Sequence, residues 1–356
     1  MAIPIVVGAA CTQEPADLLP PAASSSPSAV IESLPAPTVE VLASATPEPP
    51  PAKTWAEQRA YLYDVMQKHM SLTDAQVTRV KGIIDGSPLL GQGRPDDTTY
   101  AMTRTECRSI RSHAKALAAA DPACGAVDMV RVYDPTASET KADAKLCIDQ
   151  FEFPDIPCEY PVTYGSSREA AQLCKAVGKR LCDAHEWEGA CAGAMHAPEV
   201  EYHFEAPRPY ATWLHNESRE IAWAYGPKKN DAVCGMMSLK SERCDSTGLV
   251  RCGSNTYPAG SFPQCVSPFG VYDQHGNAAE HMSLPLKPEE LGARGGIGHT
   301  EMKGSWFVFG HATSPPHPDD CRWRAKDWHP STVMTEGSHR NYHLGFRCCK
   351  DIESGG

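Results

Sequence analysis

Fifteen cysteines in 356 residues, with no Cys-x-x-Cys pair among them, constrain this chain more than any other feature. Cytosolic thiols are kept reduced and rarely accumulate in such number without metal-ligand spacing, so the pattern reads as a disulfide-bonded protein of an oxidising compartment. The balance of charge, 33 Lys+Arg against 44 Asp+Glu for a net −11, argues against nucleic acid as a partner. No apolar run approaches the roughly 18 residues needed to cross a bilayer, which excludes a multi-pass membrane protein.

The segment from Ile3 to Ala10 is apolar, ends in small residues and precedes Cys11. It resembles a bacterial lipoprotein signal, spanning residues 1–11 and implying lipidation of Cys11. The expected location is the cell envelope, periplasmic or surface-exposed, with membrane attachment through the lipid anchor only. Residues 12–53 contain ten prolines and no aromatic residue, and such a stretch cannot repay its ordering entropy by burial. It reads as a disordered tether. With Cys11 set aside fourteen cysteines remain, Cys107 and Cys124 in one region and twelve from Cys147 to Cys349 in another.

Structure is expected from Thr54-Trp55-Ala56-Glu57, a capping box that opens a helix with Leu62, Val65, Met66 and Met70 at helical spacing. A second box at Thr73–Gln76 leads to Val77, Val80 and Ile84, and a third at Thr103–Glu106 to a helix through Leu117 that stops at Asp121-Pro122. Residues 54–124 therefore read as a small helical segment packed on the rest of the chain, because three short amphipathic helices bury little alone. Beyond it, boxes at Ser166–Glu169 and Asp183–Glu186 predict two more helices. Residues 195–351 read as loops and short strands stapled by disulfides.

Three blocks carry a family likeness: Cys147-Ile148-Asp149-Gln150-Phe151-Glu152-Phe153; Gly178-Lys179-Arg180-Leu181-Cys182-Asp183-Ala184-His185-Glu186-Trp187-Glu188; and Phe269-Gly270-Val271-Tyr272-Asp273-Gln274-His275-Gly276-Asn277-Ala278-Ala279-Glu280. With Lys303-Gly304-Ser305-Trp306 and Leu344-Gly345-Phe346-Arg347-Cys348-Cys349, they resemble the formylglycine-generating enzyme, or sulfatase-modifying factor, domain over residues 125–351. The resemblance implies an α+β, C-type-lectin-related fold, loop-rich and disulfide-stapled, preceded by the helical segment and followed by a tail at 352–356.

In that family a copper-bound cysteine pair oxidises a substrate cysteine. Here Ser305 matches the serine before the pair, Val308 stands at the first cysteine position, and Cys321, followed by Arg322-Trp323-Arg324, matches the second. One thiolate does not make a two-thiolate Cu(I) site, which places copper and the oxidase activity in doubt. The resemblance also implies a calcium site at Asp273, Gly276, Ala278 and Glu280, a set of hard oxygen ligands. The plainer reading is that Asp273 caps a turn and Glu280 pairs with an arginine. The expected role is a binding or structural module for a protein segment or glycan, with Cys321 bonded to Cys348 or Cys349; the alternative is an oxidoreductase using Cys321 and Ser305. Vicinal Cys348 and Cys349 are not expected to bond to each other, since that would strain the peptide between them. His299, His311, His317, His329, His339 and His343 read as scattered surface residues rather than a metal site.

Overall fold

The computed structural model describes residues 48–114, 121–244, 251–311, 315–325 and 331–353, so Cys11, the tether up to residue 47, Leu117 and His329 lie outside the described residues. The described chain begins at Glu48. Its carboxylate accepts the N–H groups of Arg104 at 3.2 Å and Thr105 at 2.8 Å, at the start of α3 (Arg104–His113), and Arg104 and Arg108 approach it to 3.5 and 3.6 Å. An acid there satisfies amides that have no partner inside the helix and opposes the positive end of the helix dipole.

Helices α1 (Trp55–His69), α2 (Asp74–Gly86), α4 (Ser167–Ala176) and α5 (Ala184–Ala192) begin where the capping boxes place them. At α1 the box closes one residue early, because the Glu57 carboxylate accepts from the Lys53 N–H at 2.7 Å instead of from Thr54. Helix α3 ends at His113, short of the expected Asp121. Two helices were not anticipated, α6 (Pro198–Tyr202) and α7 (Arg208–Ser218). Helix α6 starts on Pro198 and α7 follows Pro207 at its N-cap, both with no side-chain cap, so the usual N-terminal signal is missing.

Two small sheets complete the α+β fold. Strands β1 (Met129–Val132), β2 (Leu146–Asp149), β3 (Arg180–Leu181) and β7 (Cys348–Asp351) form an antiparallel sheet in the order β1-β2-β7-β3. Strand β4 (Ala279–Leu284) lies between antiparallel β5 (His299–Lys303) and parallel β6 (Leu344–Phe346). Leu62, Met66, Val77, Val80 and Ile84 of α1 and α2 share one core cluster with Leu173 of α4, Phe153 and Phe346. At about 1.5–3 kcal/mol for each large apolar side chain fully buried, that face holds the first helices against the sheet region. A second cluster gathers Trp187 of α5, Val132, Ile148, Met282 and Leu284.

All fourteen described cysteines are paired, as 107–158, 124–147, 174–348, 182–349, 191–321, 234–265 and 244–252. Cys107 and Cys124 bond across the two regions, to Cys158 and Cys147. One expectation fails here. Cys321 bonds to Cys191, not to Cys348 or Cys349. The reason lies in the pleat of β7, where successive side chains face opposite ways. Cys348 enters the cluster of Cys174 on α4, and Cys349 enters the other cluster beside Cys182, so both are already engaged.

Candidate functional site

The segment from Asp273 to Glu280 is shaped by three left-handed residues, Asp273, Gly276 and Asn277. Gly276 has φ +74°, and a Cβ there would lie 2.8 Å from the Gly235 carbonyl carbon, so the loop lies flush against residue 235. Ser305 anchors the same loop from the other side, its buried hydroxyl accepting the Gly276 N–H at 2.9 Å. The serine that the resemblance places in chemistry thus also holds this loop.

The four residues of the expected calcium set are buried, but they differ in what they offer. Glu280 is engaged at both oxygens: Arg347 donates to Oε1 at 2.6 Å and to Oε2 at 2.7 Å, and the Trp187 indole N–H donates to Oε2 at 2.9 Å. Asp273 accepts the Gly260 N–H at 2.6 Å on Oδ2, while Oδ1 is buried without a partner. Glu152 accepts from the Ala278 N–H at 2.7 Å and from Asn277 at 2.6 Å. Glu152, Asp273 and Glu280 all act on the Arg347 guanidinium, an excess of negative charge in a dry volume. Burial, with Asp273 and Glu280 beside it, pushes the Glu152 carboxyl well up, and burial pushes Asp273 to about 6.

Beyond Ser305 the chain opens a recess of about 450 Å³ lined by Leu239, Trp306, Val308, Phe309 and Pro316, together with Lys240 and His311. Behind it the rings interlock. Trp306 stacks on His343 with centroids 4.2 Å apart, Phe309 meets Trp306 edge-on at 5.0 Å, and His317 stacks on Trp323 at 4.7 Å. The histidines are thus not simply scattered over the surface. His317 and His343 are buried, His339 and His299 are half-buried, and among the described members only His311 is exposed. Burial holds His343 well below the usual imidazole range, and His339, His317, Lys240 and His281 reinforce this.

Arg322 and Arg324, which flank Trp323, face inward. Arg324 donates to both oxygens of Glu188 at 2.7 Å, Lys303 bonds the same carboxylate, and Arg322 donates to Glu201 at 2.6 Å. His215 of α7 lies 3.0 Å from Glu201 and 3.6 Å from Glu188. Reading the sequence missed this network because its partners stand up to 136 residues apart.

Among the described residues, three side-chain groups could converge on one ion: Cys191 with His275 and Cys321, Cys182 with Glu186 and Cys349, and Glu188 with Glu201 and His215. Asp273 and Glu280 belong to none of them. No described helix is long and apolar enough to cross a membrane. No curated protein matches the chain. Residues 129–352 match the sulfatase-modifying factor enzyme 1-like domain, in the order and over nearly the span that the quoted motifs occupy. With well over half of its length in that match, the chain belongs to the sulfatase-modifying factor domain family, which includes the formylglycine-generating enzyme.

Proposed function

We propose that this protein is an envelope-anchored binding module that takes a protein segment into the recess beside Trp306, inserting a bulky apolar side chain. The carrying observation is the recess itself: five of its seven lining residues are apolar, and Val308 stands where the resemblance would place a copper cysteine. Lys240 gives it a cationic group, which favours a segment with an acidic residue near the inserted side chain. That Cys321 is held in a disulfide also supports a non-catalytic reading, because copper chemistry requires thiolates. The lipid anchor at Cys11 and the envelope location are part of the same proposal.

The test is an immobilised peptide array probed beside an immobilised glycan array. Peptides carrying a bulky apolar residue and an acid should be retained, and Leu239→Glu should weaken retention about tenfold or more. Leu239 is 68% exposed, so the substitution should leave the melting temperature unchanged. Retention on glycans alone, retention insensitive to Leu239→Glu, or oxidation of a cysteine-containing peptide in the presence of copper would overturn the proposal.

Calcium belongs to the same reading in a narrower form. Asp273, with its unpartnered Oδ1, and the carbonyls of Gly276 and Ala278 would hold the ion, while Glu280 neutralises Arg347. A hard cation would offset the surplus carboxylate charge. Adding calcium at a hundredfold excess over its dissociation constant should stabilise the fold by about 2.7 kcal/mol. A chelator should reverse this, and Asp273→Asn should remove the response. Identical melting curves with and without chelator would exclude the ion.

A further inference from the structure

The Cys191–Cys321 disulfide lies against an imidazole. His275 Nε2 is 3.3 Å from the Cys191 sulfur and 3.7 Å from the Cys321 sulfur, and all three residues are fully buried. Two thiolates and one imidazole around a zinc ion, with metal–sulfur bonds near 2.3 Å and metal–nitrogen bonds near 2.0–2.1 Å, would set nitrogen and sulfur about 3.6 Å apart at a tetrahedral angle. The nitrogen-to-sulfur spacings of the oxidised protein are thus already close to those of a bound metal.

The ring is also turned the right way. The Ala224 N–H donates to Nε2 at 3.0 Å, which places the lone pair on that nitrogen and the proton on Nδ1. Nδ1 itself is buried without a hydrogen-bond partner, so it is the Ala224 amide that holds the ring in this orientation.

We infer that Cys191, Cys321 and His275 form a zinc site whose occupancy is controlled by the redox state of the disulfide. In the oxidised protein the sulfurs are bonded to each other and the site is closed. A dithiol opens it by exchange: one of its thiolates attacks a cysteine sulfur, the resulting mixed disulfide is resolved by its second thiol, and the reagent leaves as its own disulfide. Two electrons pass into Cys191 and Cys321. Zinc then displaces their two thiol protons and takes the Nε2 lone pair in place of the Ala224 N–H. This site is separate from the recess beside Trp306, and it requires no oxidation of a substrate.

The test reduces the full chain with dithiothreitol under non-denaturing conditions, removes the reagent anaerobically, and adds zinc chloride in graded amounts. Thiols left accessible are alkylated and mapped by mass spectrometry. One equivalent of zinc should protect Cys191 and Cys321 together, while reduced Cys182 and Cys349 remain open to alkylation. Cobalt(II) in place of zinc should give the thiolate charge-transfer bands of a tetrahedral site. His275→Gln should weaken zinc binding by more than the roughly 10–100-fold that loss of an outer-shell partner costs. Because that variant keeps all fourteen described cysteines, its oxidised melting curve reports whether it folds. The inference fails if zinc protects other thiols equally well, if His275→Gln binds as tightly as the wild type, or if Cys191 and Cys321 stay oxidised until the chain unfolds.

Discussion

Glu188→Ala is expected to destabilise the protein by about 3–5 kcal/mol, the cost of leaving buried charges without their counter-ion. Arg324 and Lys303, each no more than 2% exposed at the side chain, both bond this carboxylate. At roughly 2–4 °C per kcal/mol for a domain of this size, the melting temperature should fall by about 10 °C. The effect carries a pH signature. Burial pushes the Glu188 carboxyl up, and Arg324, Lys303 and His215 outweigh that, holding it below the usual carboxylate range. A depressed folded pKa means the contribution is present above the ordinary value near 4.5 and is lost as the pH falls toward the folded value. The gap in stability between wild type and variant should therefore narrow on acidification. Thermal melts at pH 7 and pH 4 that differ by the same amount would contradict it.

Removing the Cys174–Cys348 bond with paired alanines is expected to cost about 2–3 kcal/mol, not the roughly 5 kcal/mol of an isolated loop with its sequence separation of 174 residues, because Cys182–Cys349 stays closed beside it and leaves only a short loop to release. The Cys244–Cys252 bond, with a separation of 8 residues, should cost about the same by the same chain-entropy reasoning. Denaturant midpoints for the two double variants measure the ratio. A clearly larger loss for the Cys174–Cys348 variant would show that native packing around the sulfurs, rather than constraint of the unfolded chain, sets the stabilisation.

These interactions also mark where the sequence is legible and where it is not. Thr73, Thr103 and Ser166 announce their helices because a capping box is local: donor and acceptor stand three residues apart. Helix α7 gives no such signal, since it begins on Pro207-Arg208-Pro209 and is held by contacts to distant residues, such as His215 to the Arg322 carbonyl. The family motifs place Ser305, Asp273 and Glu280 in one neighbourhood, but they do not reveal that Ser305 anchors a loop or that Glu280 is engaged by Arg347. Disulfide partners are equally opaque. Which of two adjacent cysteines meets Cys174 depends on the face of β7 it occupies, and that is fixed only when the strand pairs with β2 and β3.

The order of the crosslinks has a mechanical consequence. A pull between Glu48 and the end of the chain first loads the salt-bridged start of α3 and then peels α1 and α2, which lie outside every disulfide loop. At Cys107 the load jumps to Cys158, and at Cys174 it jumps again to Cys348. Only about 83 residues can lengthen, so at roughly 3.4 Å each the chain would stop near 280 Å, where about 300 free residues would reach on the order of 1,000 Å. Under tension the protein would behave as a short leash, yielding first at its N-terminal helices and leaving the stapled body taut.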